Sequence, residues 1–120
     1  VKSAPLFACL AIYLATCLAL SAQAAEQPSA KLGAGVFKAR CTTCHGSAGK
    51  GDGPAARTLP VNPANLTKSR APNDYLKLLI TEGGDAMGRS ASMPPWGEVL
   101  TPLEIDSLVL HINTLRPPLK

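Results

Sequence analysis

Cys41-Thr42-Thr43-Cys44-His45 is a C-x-x-C-H motif, and its reading decides the fold. Two thiols three residues apart on one helical turn can both reach the vinyl groups of a single haem. The imidazole that follows at once, His45, is placed beneath the iron as the proximal ligand. Three other readings compete. A thioredoxin-like redox pair needs a strand before it and a parallel sheet around it, and no stretch of the chain alternates with period two. A zinc site needs four ligands, which Cys41, Cys44, His45 and His111 would have to supply, with adjacent Cys44 and His45 turned onto one tetrahedral ion. A disulfide between Cys41 and Cys44 fits poorly within a helical turn. The motif therefore predicts one covalently bound haem c, held through Cys41 and Cys44, with its iron on His45.

Composition agrees with that reading. The chain has 120 residues, with room for one domain and at most a leader. Aromatic residues make up only 4%, so a core built from protein alone would be short of apolar volume. A buried macrocycle supplies it. The formal net charge of +4 is too weak and dispersed to indicate nucleic acid. The 10 Gly have no period of three, which excludes collagen, and a single long apolar run excludes a polytopic membrane protein. There are 4 Cys and two lie in that run, which argues against a disulfide scaffold.

The apolar run lies upstream of the motif. Lys2 is the only charge before Glu26, Leu6 to Leu20 is nearly all apolar, and Ala22-Gln23-Ala24 has the A-x-A form of a cleavage site. This pattern predicts a secretory signal peptide over 1–24, cleaved after Ala24, and a mature domain over 25–120. Retention as a membrane anchor is the competing reading, but the strongest apolar run is about 15 residues against the roughly 20 a spanning helix needs. Lipidation at Cys17 is less apt, because Thr16 precedes it and the following residues stay apolar. Export places the domain in the periplasm, where attachment of c-type haem is completed.

Around the motif the sequence reads as all-α, with three main helices and two long loops wrapped around one covalently bound haem. Ser29 caps a helix to about Cys44, with Leu32, Val36 and Ala39 on one face. Gly46 to Asn65, rich in Gly and Pro, is an ordered loop. Asn73 caps a helix over 74–82 that Gly83 ends, and Leu76, Leu79 and Ile80 form its apolar face. Gly83 to Gly97 is the second loop. Thr101 and Glu104 form a capping box with Pro102 at the first helical position, and Ile105, Leu108, Val109 and Ile112 make the buried stripe up to Pro117. Two long loops in so small a domain must wrap something. For the other face of the iron, the candidates are Met87, Met93 and His111. Met93-Pro94-Pro95-Trp96 restricts the backbone around a thioether, which favours Met93, whereas Met87 lies among Gly and Ser residues. His111 is read as a packing or surface ring on the last helix.

At this point the sequence resembles the class I cytochromes c, over nearly all of residues 25–120. Gly33 and Phe37 stand eight and four residues before Cys41, where that family places the Gly and the aromatic that let its first and last helices cross. Leu108 matches the apolar residue of the last helix, and His111 falls where an aromatic is usual. The resemblance implies the cytochrome c fold and His45/Met93 axial ligation. It implies that the Pro54 carbonyl, in Gly49-Lys50-Gly51-Asp52-Gly53-Pro54, accepts a hydrogen bond from His45 Nδ1, though a plain turn-rich loop is the alternative. Asn65-Leu66-Thr67 resembles the segment leading to the middle helix. Trp96 either sends its indole N–H to a haem propionate or packs in the core.

With both axial positions filled and no nucleophile–base pair apparent, the reading is a monomeric periplasmic one-electron carrier and not an enzyme. It would pass electrons from a donor dehydrogenase to a terminal oxidase or reductase, both redox protein partners. An obligate cytochrome subunit of a periplasmic dehydrogenase is the first alternative. A haem-based gas sensor or weak peroxidase with a labile Met is the second. Membrane contact is expected only if the leader is kept. Without the leader and with two propionates ionised, the net charge falls to about +1, so Lys38, Lys50, Lys77 and Arg89 are expected to be scattered and salt dependence to be modest.

Overall fold

The computed structural model describes residues 26–118; the signal-peptide boundary and Cys17 lie outside them. Among the described residues every regular element is helical. Helix α1 (Ala30–Arg40) starts where Ser29, in extended conformation, accepts the Leu32 amide on its hydroxyl at 3.2 Å. The single helix expected through Cys44 is interrupted at Cys41, and a short α2 (Thr42–His45) follows. The break is small: the Cys41 amide still reaches the Phe37 carbonyl, while its own carbonyl takes both the Cys44 and His45 amides. Gly46, at φ 77°, then turns the chain in the left-handed region that favours glycine.

Helix α3 (Asn73–Ala86) departs from expectation at both ends. Pro72 is the cap and no side chain bonds the first turn, because the Asn73 carboxamide oxygen is engaged by Arg116 at 3.0 Å. At the other end Gly83 does break the helix, with φ 80° and ψ 172°, but a further turn follows it to Ala86. The break leaves the Ile80 and Thr81 carbonyls without helical donors, and the Trp96 and Gly97 amides take them, both at 3.0 Å. The second loop is thereby strapped back onto α3. Helix α4 (Pro102–Leu115) begins with the expected capping box: the Thr101 hydroxyl accepts from the Glu104 amide, and the Glu104 carboxylate accepts from the Thr101 amide. The carboxylate's pKa is drawn below its usual range by those Thr101 bonds, its backbone amide first.

The architecture rests on the crossing of α1 and α4. Gly33 meets the chain of Ser107 so closely that a Cβ would run into the Ser107 carbonyl oxygen. Ser107 itself is fully buried, and its hydroxyl accepts the Ser29 amide at 3.1 Å, tying the entry of α1 to the middle of α4. One turn on, the Phe37 and His111 rings meet with centroids 5.1 Å apart and planes tilted by 56°. His111 is thus a helix-crossing ring, as read from the sequence, and partial burial lowers its pKa. The stripe Ile105, Leu108, Val109 and Ile112 is wholly buried, as are Val36, Leu76 and Ile80, whereas Ala39 is exposed. The exposed Lys77–Asp106 ion pair at 2.6 Å links α3 to α4 and contributes little.

Two neighbouring glycines make the crossing testable. Gly35, two residues on, faces open space, with nothing within 4 Å of an added Cβ. Gly33→Ala is expected to cost about 3 kcal/mol, because a main-chain oxygen cannot step aside. Gly35→Ala is expected to stabilise by about 0.5–1 kcal/mol through helix propensity alone. Denaturant midpoints of the two haem-loaded variants against the parent chain check both signs.

Candidate functional site

The short helix α2 delivers the motif to one place. Cys41, Cys44 and His45 are all half-buried and line a single cavity of about 700 Å³. No disulfide joins the two cysteines. The His45 ring is fixed by a 3.0 Å contact between Nδ1 and the Ala64 carbonyl. A carbonyl only accepts, so Nδ1 must carry the hydrogen and Nε2 is left with its lone pair free. Burial lowers the pKa of the ring, against the opposing effect of the Ala64 bond, which favours the neutral imidazole a metal requires.

The floor of the cavity is the core itself: Phe37, Leu66, Leu76, Ile80, Leu108 and Ile112 all border it. Few buried side chains fill the centre of the domain; they stand around a space within the range that cofactors occupy. Met93 and Trp96 line the cavity from the second loop, and Met87 is absent from its lining. The main chain of Met93 is pinned on both sides, its amide donating to Ser90 at 3.1 Å and its carbonyl accepting from Gly84 at 2.8 Å. Gly84 has no room for a side chain, because a Cβ would collide with the Ser90 carbonyl oxygen and press the Met93 side chain at 3.2 Å. The residues present fit a haem: paired cysteines, an imidazole and a thioether border one cavity whose lining is largely apolar.

One expected contact is corrected. Pro54 does not accept from His45, and Pro54 is exposed and outside the cavity lining. Its neighbours fold back beneath α2 instead, the Gly53 and Ala55 amides donating to the Cys44 and Thr43 carbonyls. Gly53 is packed there so tightly that a Cβ would strike the Thr42 and Thr43 carbonyl oxygens. The chain needs ten more residues to come round to the ring, so Ala64 is the partner. Its position is held by the next residues, where the Leu66 amide donates to Gly49 at 2.7 Å and Asn65 caps the 3-10 turn Leu66–Lys68. The only signal in the sequence for this was the Asn65-Leu66-Thr67 segment itself.

The charges at the cavity also differ from expectation. Of Lys38, Lys50, Lys77 and Arg89, only Arg89 lines it, donating to the Tyr75 hydroxyl at 3.0 Å and lying over that ring. Arg40, Lys68 and Arg70, which sequence reasoning did not single out, join it. No carboxylate among the described residues lines the cavity. Four cations from three separate segments therefore share one rim.

Known proteins match most of the chain. Residues 28–112 match the protein family described as cytochrome c oxidase, cbb3-type, subunit III. The chain is 34% identical over 98 residues to the cbb3-type cytochrome c oxidase subunit FixP of Azorhizobium caulinodans, covering 75% of this chain and 28% of that protein. It also superposes on a chain of the reducing HAO-like protein complex of Kuenenia stuttgartiensis with a TM-score of 0.63 and 26% identity, covering 76% of this chain and 45% of the other. The chain thus spans less than half the length of each of these relatives.

The strap around Met93 gives a test of the geometry. Gly84→Ala is expected to push Met93 away from the cavity and to weaken or abolish the weak red absorbance of ferric iron bonded to a thioether. Gly88→Ala is the control for substitution as such: its φ of 63° is strained, but an added Cβ there meets nothing within 4 Å. It should leave that absorbance in place. Optical spectra of the oxidised proteins compare the two.

Proposed function

Since this chain belongs to the family of cytochrome c oxidase, cbb3-type, subunit III, whose members are c-type cytochromes with covalently bound haem, we propose that it is a one-electron carrier domain with His45 and Met93 as axial ligands. Cys41 and Cys44 would form the two thioether links, and the bound haem would supply a one-electron couple at its iron. The observation that carries this reading is the convergence of Cys41, Cys44, His45 and Met93 on one apolar cavity. Within it, Ala64 holds the His45 tautomer, and the Gly84 and Ser90 main-chain bonds hold Met93. Trp96 would close the same wall, with its indole N–H available to a propionate. The apolar part of the lining would limit water at the iron, which raises the potential relative to a solvated site.

The leader read from the sequence supports export, and with it work in the periplasm. Among the described residues no helix is long and apolar enough to cross a membrane. Both relatives carry names of multi-protein redox assemblies, an oxidase and a HAO-like complex. That favours a place as the electron-transfer component of such a complex over a free shuttle. The cationic rim of Arg40, Lys68, Arg70 and Arg89 favours a partner surface of opposite sign at the cavity mouth.

Absorption spectra of the exported protein test the reading. A low-spin spectrum with the weak red band and no response to carbon monoxide in the reduced form is expected, and Met93→Ala is expected to lose the band and bind carbon monoxide. A parent protein that binds carbon monoxide readily would instead indicate a gas-binding or peroxidase site. The rim makes a separate prediction, opposed to the modest salt dependence read from net charge alone. Electron transfer with an acidic redox partner should slow steeply as salt rises, and Lys68→Gln with Arg70→Gln should flatten that dependence in stopped-flow measurements.

A further inference from the structure

Arg116, just past the end of α4, is a buried cation that none of the roles above uses. It is only 6% exposed. Its guanidinium spends its donors on four neutral acceptors. Nε and one terminal nitrogen donate to the Asn113 carboxamide oxygen at 3.0 and 2.7 Å, and that same nitrogen reaches Asn73 at 3.0 Å. The other donates to the Ala71 carbonyl at 2.6 Å, with the Ser69 hydroxyl at 3.5 Å. No carboxylate partner appears: the only ion pair among the described residues is Lys77–Asp106. Burial alone pulls the arginine's pKa down, with no nearby charge contributing, yet a guanidinium does not discharge in a protein.

Burying an uncompensated charge is costly, and a carboxylate at position 113 or 73 would relieve it at no change of shape. The fold solvates the charge with amides and a carbonyl without cancelling it. Two of those acceptors, Ser69 and Ala71, line the cavity, and Ile112, one turn before Arg116, lines it too. The guanidinium therefore stands directly behind the cavity wall, one residue away from the space. The rim cations face solvent and are screened by salt, whereas a charge enclosed by protein atoms is screened much less.

We propose that Arg116 is a fixed, uncancelled positive charge behind the cavity wall that raises the reduction potential of the group the cavity holds. Adding an electron lowers the charge at the centre by one, and a nearby buried cation favours the state with the electron. The inference rests on the haem reading above. It assigns Arg116 as a positioning residue for potential and not as a ligand.

Asn113→Asp tests it with the least disturbance, because the acceptor oxygen stays in place and only the charge changes. Equilibrium redox titration of the haem-loaded full chain should show a lower potential in Asn113→Asp than in the parent, with an unchanged optical spectrum. The shift should persist at high salt. Arg116→Met should lower the potential too, and Arg116→Lys should stay closer to the parent. If Arg116→Met fails to fold, Asn113→Asp still decides the matter. A potential unmoved in Asn113→Asp with the parent's spectrum retained would overturn the proposal, as would a shift that vanishes in salt. A parent chain that carries no covalent haem would overturn the haem reading together with it, whereas a normal parent spectrum with no shift would overturn the Arg116 assignment alone.

Discussion

At the crossing of α1 and α4, a main-chain oxygen occupies the place where a side chain would otherwise be. Gly33 is the only residue type that lets the Ser107 carbonyl approach so near, and the buried Ser107 hydroxyl then takes the Ser29 amide. This sets the separation of the two helices before any cofactor is considered. It also fixes the direction in which the end of α1 points. Because α2 follows after a single interrupted residue, the orientation of Cys41, Cys44 and His45 toward the cavity is inherited from the crossing. The Phe37–His111 contact sits between the two, with Phe37 touching His111 on one side and the cavity on the other.

The two loops are held by main-chain bonds in addition to the core, which Leu66, Leu76 and Ile80 extend beyond the crossing. The first loop is gathered by glycine-rich turns, through the Gly51 amide on the His45 carbonyl and the Leu66 amide on Gly49. The second is strapped to α3 by bonds that exist only because Gly83 breaks the helix and frees its carbonyls. Such bonds are directional and short in reach, so they fix atoms where dispersion contacts alone would fix only volumes. A domain with few large side chains can in this way keep a large interior space shaped. The free energy that a packed centre would supply falls to whatever fills the space.

The helices and the attachment motif were legible in the sequence because their signals are local. A capping box, a glycine four residues before an aromatic, and C-x-x-C-H are each complete within one turn or two. What was not legible depends on which distant backbone atom arrives. Pro54 and Ala64 offer the same carbonyl chemistry, and only the fold-back of Gly53 beneath α2 decides between them. Asn73 is a good capping residue by type, yet Arg116, 43 positions away, claims its oxygen. The rim cations Arg40, Arg89 and the Lys68–Arg70 pair come from separate segments and share no motif, so a sum over the chain hides their gathering.

The electrostatics of the site divide by depth. At His45 the partner is a neutral carbonyl, and burial favours the uncharged ring, so Nε2 offers its lone pair to the cavity without bringing a second charge inside. At the rim, four cations meet solvent, where their field extends outward and salt can weaken it. Behind the cavity wall, Arg116 keeps its charge among neutral acceptors, where salt screens it less than at the rim. These placements serve different ends. A rim charge changes how fast a partner arrives and in what orientation. A buried charge changes the energy of the electron once it has arrived. Because the two act at separate depths, docking and potential can change independently, by substitutions that share no residue.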